Sequence, residues 1–108
     1  MKKKIVILGG GESGVGAALL CKQQGYDVIL SDSGKIKDHY QHELEANRID
    51  FECGGHTVDK ILSADEVMKS PGISSNNHVV IQINAERIPI ISEMELAYRH
   101  KAESRIIG

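Results

Sequence analysis

The segment Ile5-Val6-Ile7-Leu8-Gly9-Gly10-Gly11-Glu12-Ser13-Gly14-Val15-Gly16 constrains this chain more than any other. Four apolar residues without polar alternation read as a buried strand, and the glycines that follow end it in a turn. The spacing Gly9-x-Gly11-x-x-Gly14 sets a tight turn, an unobstructed backbone and a close helix–strand contact in that order. A helix that starts there aims unpaired N–H groups and a partial positive charge beyond the strand end. The guest this predicts is a nucleotide's diphosphate, and the motif alone does not choose the nucleotide. Glu12 lies inside the loop, so its carboxylate is expected to point away from phosphate. The contacts then fall to backbone N–H groups and to the Ser13 hydroxyl, which could equally cap the helix.

Apolar periodicity and turn residues extend this reading along the chain. Strands are predicted over residues 4–8, 28–31, 51–53, 66–69 and 88–91. Helices are predicted over 13–24, 38–47, 58–62 and 78–86, with a fifth running from a Ser92/Glu95 capping box to about residue 100. Gly25 is placed to end the first helix, Asn76 or Asn77 to cap the fourth, and Pro89 is tolerable near a sheet edge. Such alternation implies a three-layer α/β fold with a five-stranded, mostly parallel sheet. Ligands of such sheets bind beyond the carboxyl ends of the strands, where the strand order switches. Three turns there are rich in Gly, Ser or Asp, at 9–14, 32–34 and 70–72, and the topology predicts that they share one rim. Arg105-Ile106-Ile107-Gly108 reads as the opening of a further strand at a domain junction.

A length of 108 residues fits one domain, and a net charge of −2 offers no basic excess to neutralise nucleic acid or a membrane surface. One Phe, three Tyr and no Trp give little material for stacking single-stranded bases. The apolar stretch before the glycines is too short for a signal peptide or a membrane span, so a cytoplasmic location is expected. Cys21 and Cys53 fit no metal or redox spacing, and Cys21 reads as a small buried helix residue. His39 and His42 share a polar helix without a third ligand, so no metal site is expected. Glu93 and Glu95 point to different helix sides, and no GxxxxGK[ST] loop is present. The residues therefore describe a binding domain with no catalytic group.

Asp32 ends the second strand, 18 residues after Gly14. An acidic residue there bonds ribose hydroxyls, or accepts the N–H of a uracil ring, and repels a 2′-phosphate. In Ser70-Pro71-Gly72-Ile73 the proline fixes one dihedral and the glycine frees the next. That suits either an ordinary turn or a backbone presented to a ligand.

Together with Ala64-Asp65-Glu66-Val67-Met68-Lys69 ahead of that turn and Ile88-Pro89-Ile90-Ile91-Ser92-Glu93-Met94-Glu95-Leu96 after it, these segments resemble the N-terminal domain of the Mur ligases. Within that family the chain is most similar to the members that add D-glutamate. The resemblance implies a Rossmann-like domain that holds the UDP moiety of UDP-N-acetylmuramoyl-L-alanine. It places Gly11, Glu12, Ser13 and Gly14 at the diphosphate, Asp32 and Ser33 at the uracil, and Ser70, Pro71 and Gly72 against the nucleotide. Lys35 stands near where the family often has an arginine, and its ammonium lacks the flat surface that stacks on a ring. ATP and Mg²⁺ would belong to a central domain, and D-glutamate to a third. Those two domains, absent from this chain, would be its partners in peptidoglycan precursor synthesis, and this domain alone would be inactive. The alternative is an NAD-binding module of an oxidoreductase or regulatory protein. It shares the glycine loop and Asp32 but leaves the Ser-Pro-Gly-Ile and Ile-Ser-Glu-Met-Glu segments unexplained.

Overall fold

The computed structural model of the chain describes residues 3–70, 72, 73 and 76–107. Its elements alternate in order: β1 (Lys4–Leu8), α1 (Glu12–Gln23), β2 (Asp27–Ser31), α2 (Asp38–Ala46), β3 (Asp50–Glu52), α3 (Val58–Leu62), β4 (Glu66–Lys69), α4 (His78–Ala85), β5 (Ile90–Ser92) and α5 (Glu93–Ile107). The strands form one sheet, β3-β2-β1-β4-β5, with every neighbouring pair parallel. This is the three-layer, Rossmann-like α/β architecture the alternation predicts.

β1 is the central strand, and the burial of its residues explains their unbroken apolar run. Ile5, Val6, Ile7 and Leu8 are each at most 1% exposed. Successive side chains on a strand face opposite ways. Ile5 and Ile7 accordingly join Val15, Ala18 and Cys21 of α1, Leu44 of α2 and Leu96 of α5. Val6 and Leu8 join Ile61 of α3 and Val80 and Ile83 of α4. The sheet thus separates two apolar layers, each closed by its own helices.

Element ends depart from the sequence reading for local reasons. α1 begins at Glu12 because Gly11 takes the cap position, which leaves Ser13 as a first-turn residue rather than the cap. β5 begins at Ile90, after Pro89, which has no N–H to donate; the Pro89 carbonyl still accepts the Val67 N–H at 2.9 Å. As expected, the Asn77 side chain caps α4 by accepting from the Val79 N–H at 2.9 Å. The Ser92 hydroxyl accepts from the Glu95 N–H at 3.1 Å at the start of α5. Residues 105–107, expected to open a strand, instead continue α5. Between residues 93 and 107 there is no Gly or Pro to stop the helix. A helix also satisfies its backbone internally, whereas a strand needs a paired neighbour.

α1, α2 and α4 end alike. The N–H groups of Tyr26, Ile49 and Ile88 reach back to the carbonyls of Cys21, Leu44 and Ile83 at 3.0, 2.9 and 3.2 Å. Each ending needs one left-handed residue. Gly25 supplies it as expected at φ 88°, but Arg48 and Arg87 supply it at 58° and 60°. α5 is tied to the sheet by a charge pair that the sequence did not announce. Glu66, 3% exposed on β4, accepts from the Arg99 guanidinium at 2.7 Å, with the Lys3 ammonium at 3.7 Å. Burial, and then the Glu66 charge, push the nearby Cys21 thiol up to about 11, so it stays an inert core group.

Candidate functional site

The chain runs outward from β1 through β2 to β3, then returns to lay β4 on the other side of β1. The carboxyl ends of β1 and β4 therefore form the switch point of the sheet. Gly9 leaves β1 at φ 115°, and its N–H donates to the Ser31 carbonyl at 2.9 Å. A Cβ on Gly14 would lie 1.8 Å from the Gly9 carbonyl oxygen, so only glycine lets α1 approach the loop this closely. A Cβ on Gly9 would lie 2.8 Å from the Ser70 Cβ, and one on Gly10 would lie 2.7 Å from Ile36 Cγ1. Gly11 differs from all three: nothing stands within 4 Å of its Cβ position. It caps α1 in an extended conformation at φ −80° and, as glycine, offers no side chain to the N–H groups behind it. One open position is thus framed by three crowded ones, at the end of a helix with unpaired donors.

The other two turns close on this loop as the topology predicts. Asp32 accepts the Gly10 N–H at Oδ2 and the Gly34 N–H at Oδ1, both at 2.7 Å. It therefore ties the glycine loop to its own turn. Each carboxylate oxygen has a further lone pair, so Asp32 can still accept from a ligand. On the opposite side the Ser70 N–H donates to the Leu8 carbonyl at 3.1 Å, and the Ile73 N–H closes the turn onto the Ser70 carbonyl at 3.0 Å. Gly72 is exposed, and Pro71 lies outside the described residues. Glu12 is exposed on the first turn of α1, where a carboxylate suits the helix dipole, and Ser13 is half-buried beside it. Ser33 and Lys35 are exposed, and Lys35 borders an open depression with Lys37, Asp38 and His39.

A family model described as "Mur ligase MurD-like, N-terminal domain" matches residues 3–92. The chain belongs to this family. It is 53% identical over 97 residues to a UDP-N-acetylmuramoylalanine–D-glutamate ligase of Christiangramia forsetii, covering 90% of the chain and 22% of that protein. It is 49% identical over 98 residues to the Bacteroides fragilis ligase of the same name, covering 91% and 22%. The chain thus spans about a fifth of the length of these relatives. Among solved structures, a UDP-N-acetylmuramate:L-alanyl-γ-D-glutamyl-meso-diaminopimelate ligase from Neisseria meningitidis superposes with a TM-score of 0.74 at 27% identity, over 86% of the chain and 29% of that protein. A murein peptide ligase from Psychrobacter arcticus shares the fold, with a TM-score of 0.79 at 22% identity over 87% and 20%.

In this MurD-like domain two further features flank the three turns. Beyond the carboxyl ends of β4 and β5 lies an open groove of about 800 Å³, bordered by Lys69, Ile91, Ser92, Met94 and Ala97. Met94 is 81% exposed on its rim. Under the 32–34 turn, Ser31, Glu52, His56 and Thr57 form a hydrogen-bonded cluster. Sequence reasoning missed this cluster. Its signal was faint: the β2–β3 register sets Ser31 beside Glu52, and that register is visible only once the strands pair. Among the described residues no three His, Cys, Asp or Glu side chains gather as metal ligands, and no helix is long and apolar enough to cross a membrane.

Proposed function

We propose that this domain binds the UDP moiety of UDP-N-acetylmuramoyl-L-alanine for a cytoplasmic, D-glutamate-adding ligase. The observation that carries the reading is the open Gly11 position in a loop that Asp32 holds at Gly10 and the Ser70 turn borders at Gly9. The diphosphate would lie over Gly11 against the first N–H groups of α1, with the Ser13 hydroxyl as a further donor. The nucleoside would extend over β2, where Asp32 and Ser33 meet the uracil and the Lys35 stem lies alongside. The muramoyl peptide would extend the opposite way, past Ser70, Pro71 and Gly72 toward the groove at β5. A diphosphate over the central strand would let its two substituents extend in these two directions along the rim.

In the whole enzyme, ATP would activate the L-alanine carboxyl as an acyl phosphate, and the D-glutamate amine would displace phosphate to form the amide. The residues of this chain do not fit a site for ATP and Mg²⁺: they include no GxxxxGK[ST] loop. Those groups are assigned to other domains of a three-domain protein, and this domain to anchoring the substrate.

Separate titrations with UDP, UDP-N-acetylmuramoyl-L-alanine and NAD, followed by NMR, test the reading. Uridine ligands are expected to shift the amides of Gly11, Ser13 and Gly34, without ATP hydrolysis by the chain alone. Tighter binding of NAD than of UDP would overturn it in favour of an NAD module.

A further inference from the structure

The 32–34 turn is supported from β3 as well as from the glycine loop. The Asp32 N–H donates to the Glu52 carbonyl at 3.0 Å, and the Gly54 N–H donates to the Gly34 carbonyl at 2.7 Å. The Gly54-Gly55 turn is therefore a prop for the turn above it, and Gly54 holds a left-handed φ of 80° in doing so. Glu52 braces that prop. Its Oε2 accepts the Ser31 hydroxyl at 2.8 Å and the Thr57 N–H at 2.7 Å, and its Oε1 accepts the Thr57 hydroxyl at 2.6 Å. One carboxylate thus joins the end of β2, the end of β3 and the residue that precedes α3.

The protons in this cluster can be assigned. Ser31 is fully buried, and its hydroxyl lies between Glu52 and His56 Nδ1, the latter at 2.5 Å. A hydroxyl has one proton to donate. Burial raises the Glu52 carboxyl, but the Thr57 N–H and hydroxyl, the Ser31 hydroxyl and the Lys60 charge outweigh it and hold the group below the usual range. An ionised carboxylate only accepts, so Ser31 donates to Glu52. The short contact with His56 is then a hydrogen bond with Nδ1–H as donor, which fixes the tautomer of the ring.

We propose that Glu52 is a positioning residue for nucleoside recognition: through Ser31, Thr57 and the Gly54-Gly55 turn it sets the geometry of the 32–34 turn, an assignment that rests on the uridine-binding reading for its ligand. The diphosphate end lies on the far side of Asp32, and the Glu52 side chain bonds Ser31 and Thr57 rather than the glycine loop itself. The two ends of the ligand are therefore expected to respond differently to one substitution.

Glu52→Gln in this chain, titrated with UDP and with inorganic pyrophosphate by NMR, tests the proposal. UDP is expected to bind about tenfold more weakly, the scale of one lost charge-assisted hydrogen bond. Pyrophosphate affinity is expected to hold, and the Gly34 and Gly54 amides to exchange faster with solvent. Thr57→Val removes one donor only and is expected to move the same readings less, should Glu52→Gln fail to fold. Unchanged UDP affinity would overturn the proposal, as would equal losses for UDP and pyrophosphate, which mark a general loosening. If the unsubstituted chain binds pyrophosphate but not UDP, the uridine reading fails. The positioning role then stands or falls on the two amides: unchanged exchange rejects it.

Discussion

The four glycines of the first loop do different work, and substitution can separate them. Gly14→Ala drives a Cβ into the Gly9 carbonyl, so α1 must move off the sheet. The expected loss is about 3 kcal/mol or more, the range of an overpacked buried contact, read from urea denaturation. Gly11→Ala meets no atom and needs no left-handed backbone. It is expected to change stability by about 1 kcal/mol at most, a cap effect, while sharply weakening UDP because the methyl would stand in the proposed path of the diphosphate. Equal stability losses at the two positions would refute this division. Asp32 combines two roles that a sequence cannot separate. Asp32→Ala removes the proposed ligand acceptor and also unties Gly10 from Gly34. It is expected to weaken pyrophosphate as well as UDP, whereas Glu52→Gln weakens UDP alone.

At the scale of elements, the helix ends show where local reading succeeds and where it stops. Gly25, Asn77 and Ser92 act within a few residues of their own position, through backbone freedom or a short side chain. All three were legible. Arg48 and Arg87 fill the same left-handed place as Gly25, and nothing in an arginine's chemistry announces that. Packing of Ile49 and Ile88 into the two apolar layers holds those endings against the backbone preference. Arg48→Gly and Arg87→Gly are each expected to stabilise the chain by about 0.5–1 kcal/mol, measured as a raised unfolding midpoint. The ending of α5 was misread for a related reason. An apolar, β-branched run suits a strand or a helix, and the choice falls to the backbone's need for partners.

For the whole molecule, charge inside the fold sets how it responds to acid. Glu52 is held below its ordinary value of 4.5, so it stabilises the folded state above that pH. The contribution is lost as pH falls through the lowered folded value. The stability gap between the unsubstituted chain and Glu52→Gln is therefore expected to be full at neutral pH and to close in strong acid. A gap that widened on acidification would contradict the assignment of the Ser31 and His56 protons. The thiols give a second, independent check on the fold. A thiol reagent at neutral pH is expected to modify exposed Cys53 and to reach buried Cys21 only on unfolding.

The sequence by itself determined the alternation of strands and helices, the central place of residues 5–8 and the presence of a diphosphate-type loop. Those properties are written in neighbouring residues: burial on both faces demands a continuous apolar run, and a tight turn demands glycine. The match to Mur ligases likewise lies in short segments readable in order. Only the tertiary structure decided which groups face one another across strands. It revealed Asp32 as a tie between two loops, Glu66 as the buried partner of Arg99, and the Ser31, Glu52, His56 and Thr57 cluster under the 32–34 turn. Such pairs are distant in the chain, and a hydrogen bond depends on position to within a few tenths of an ångström, which register and packing set and residue type does not.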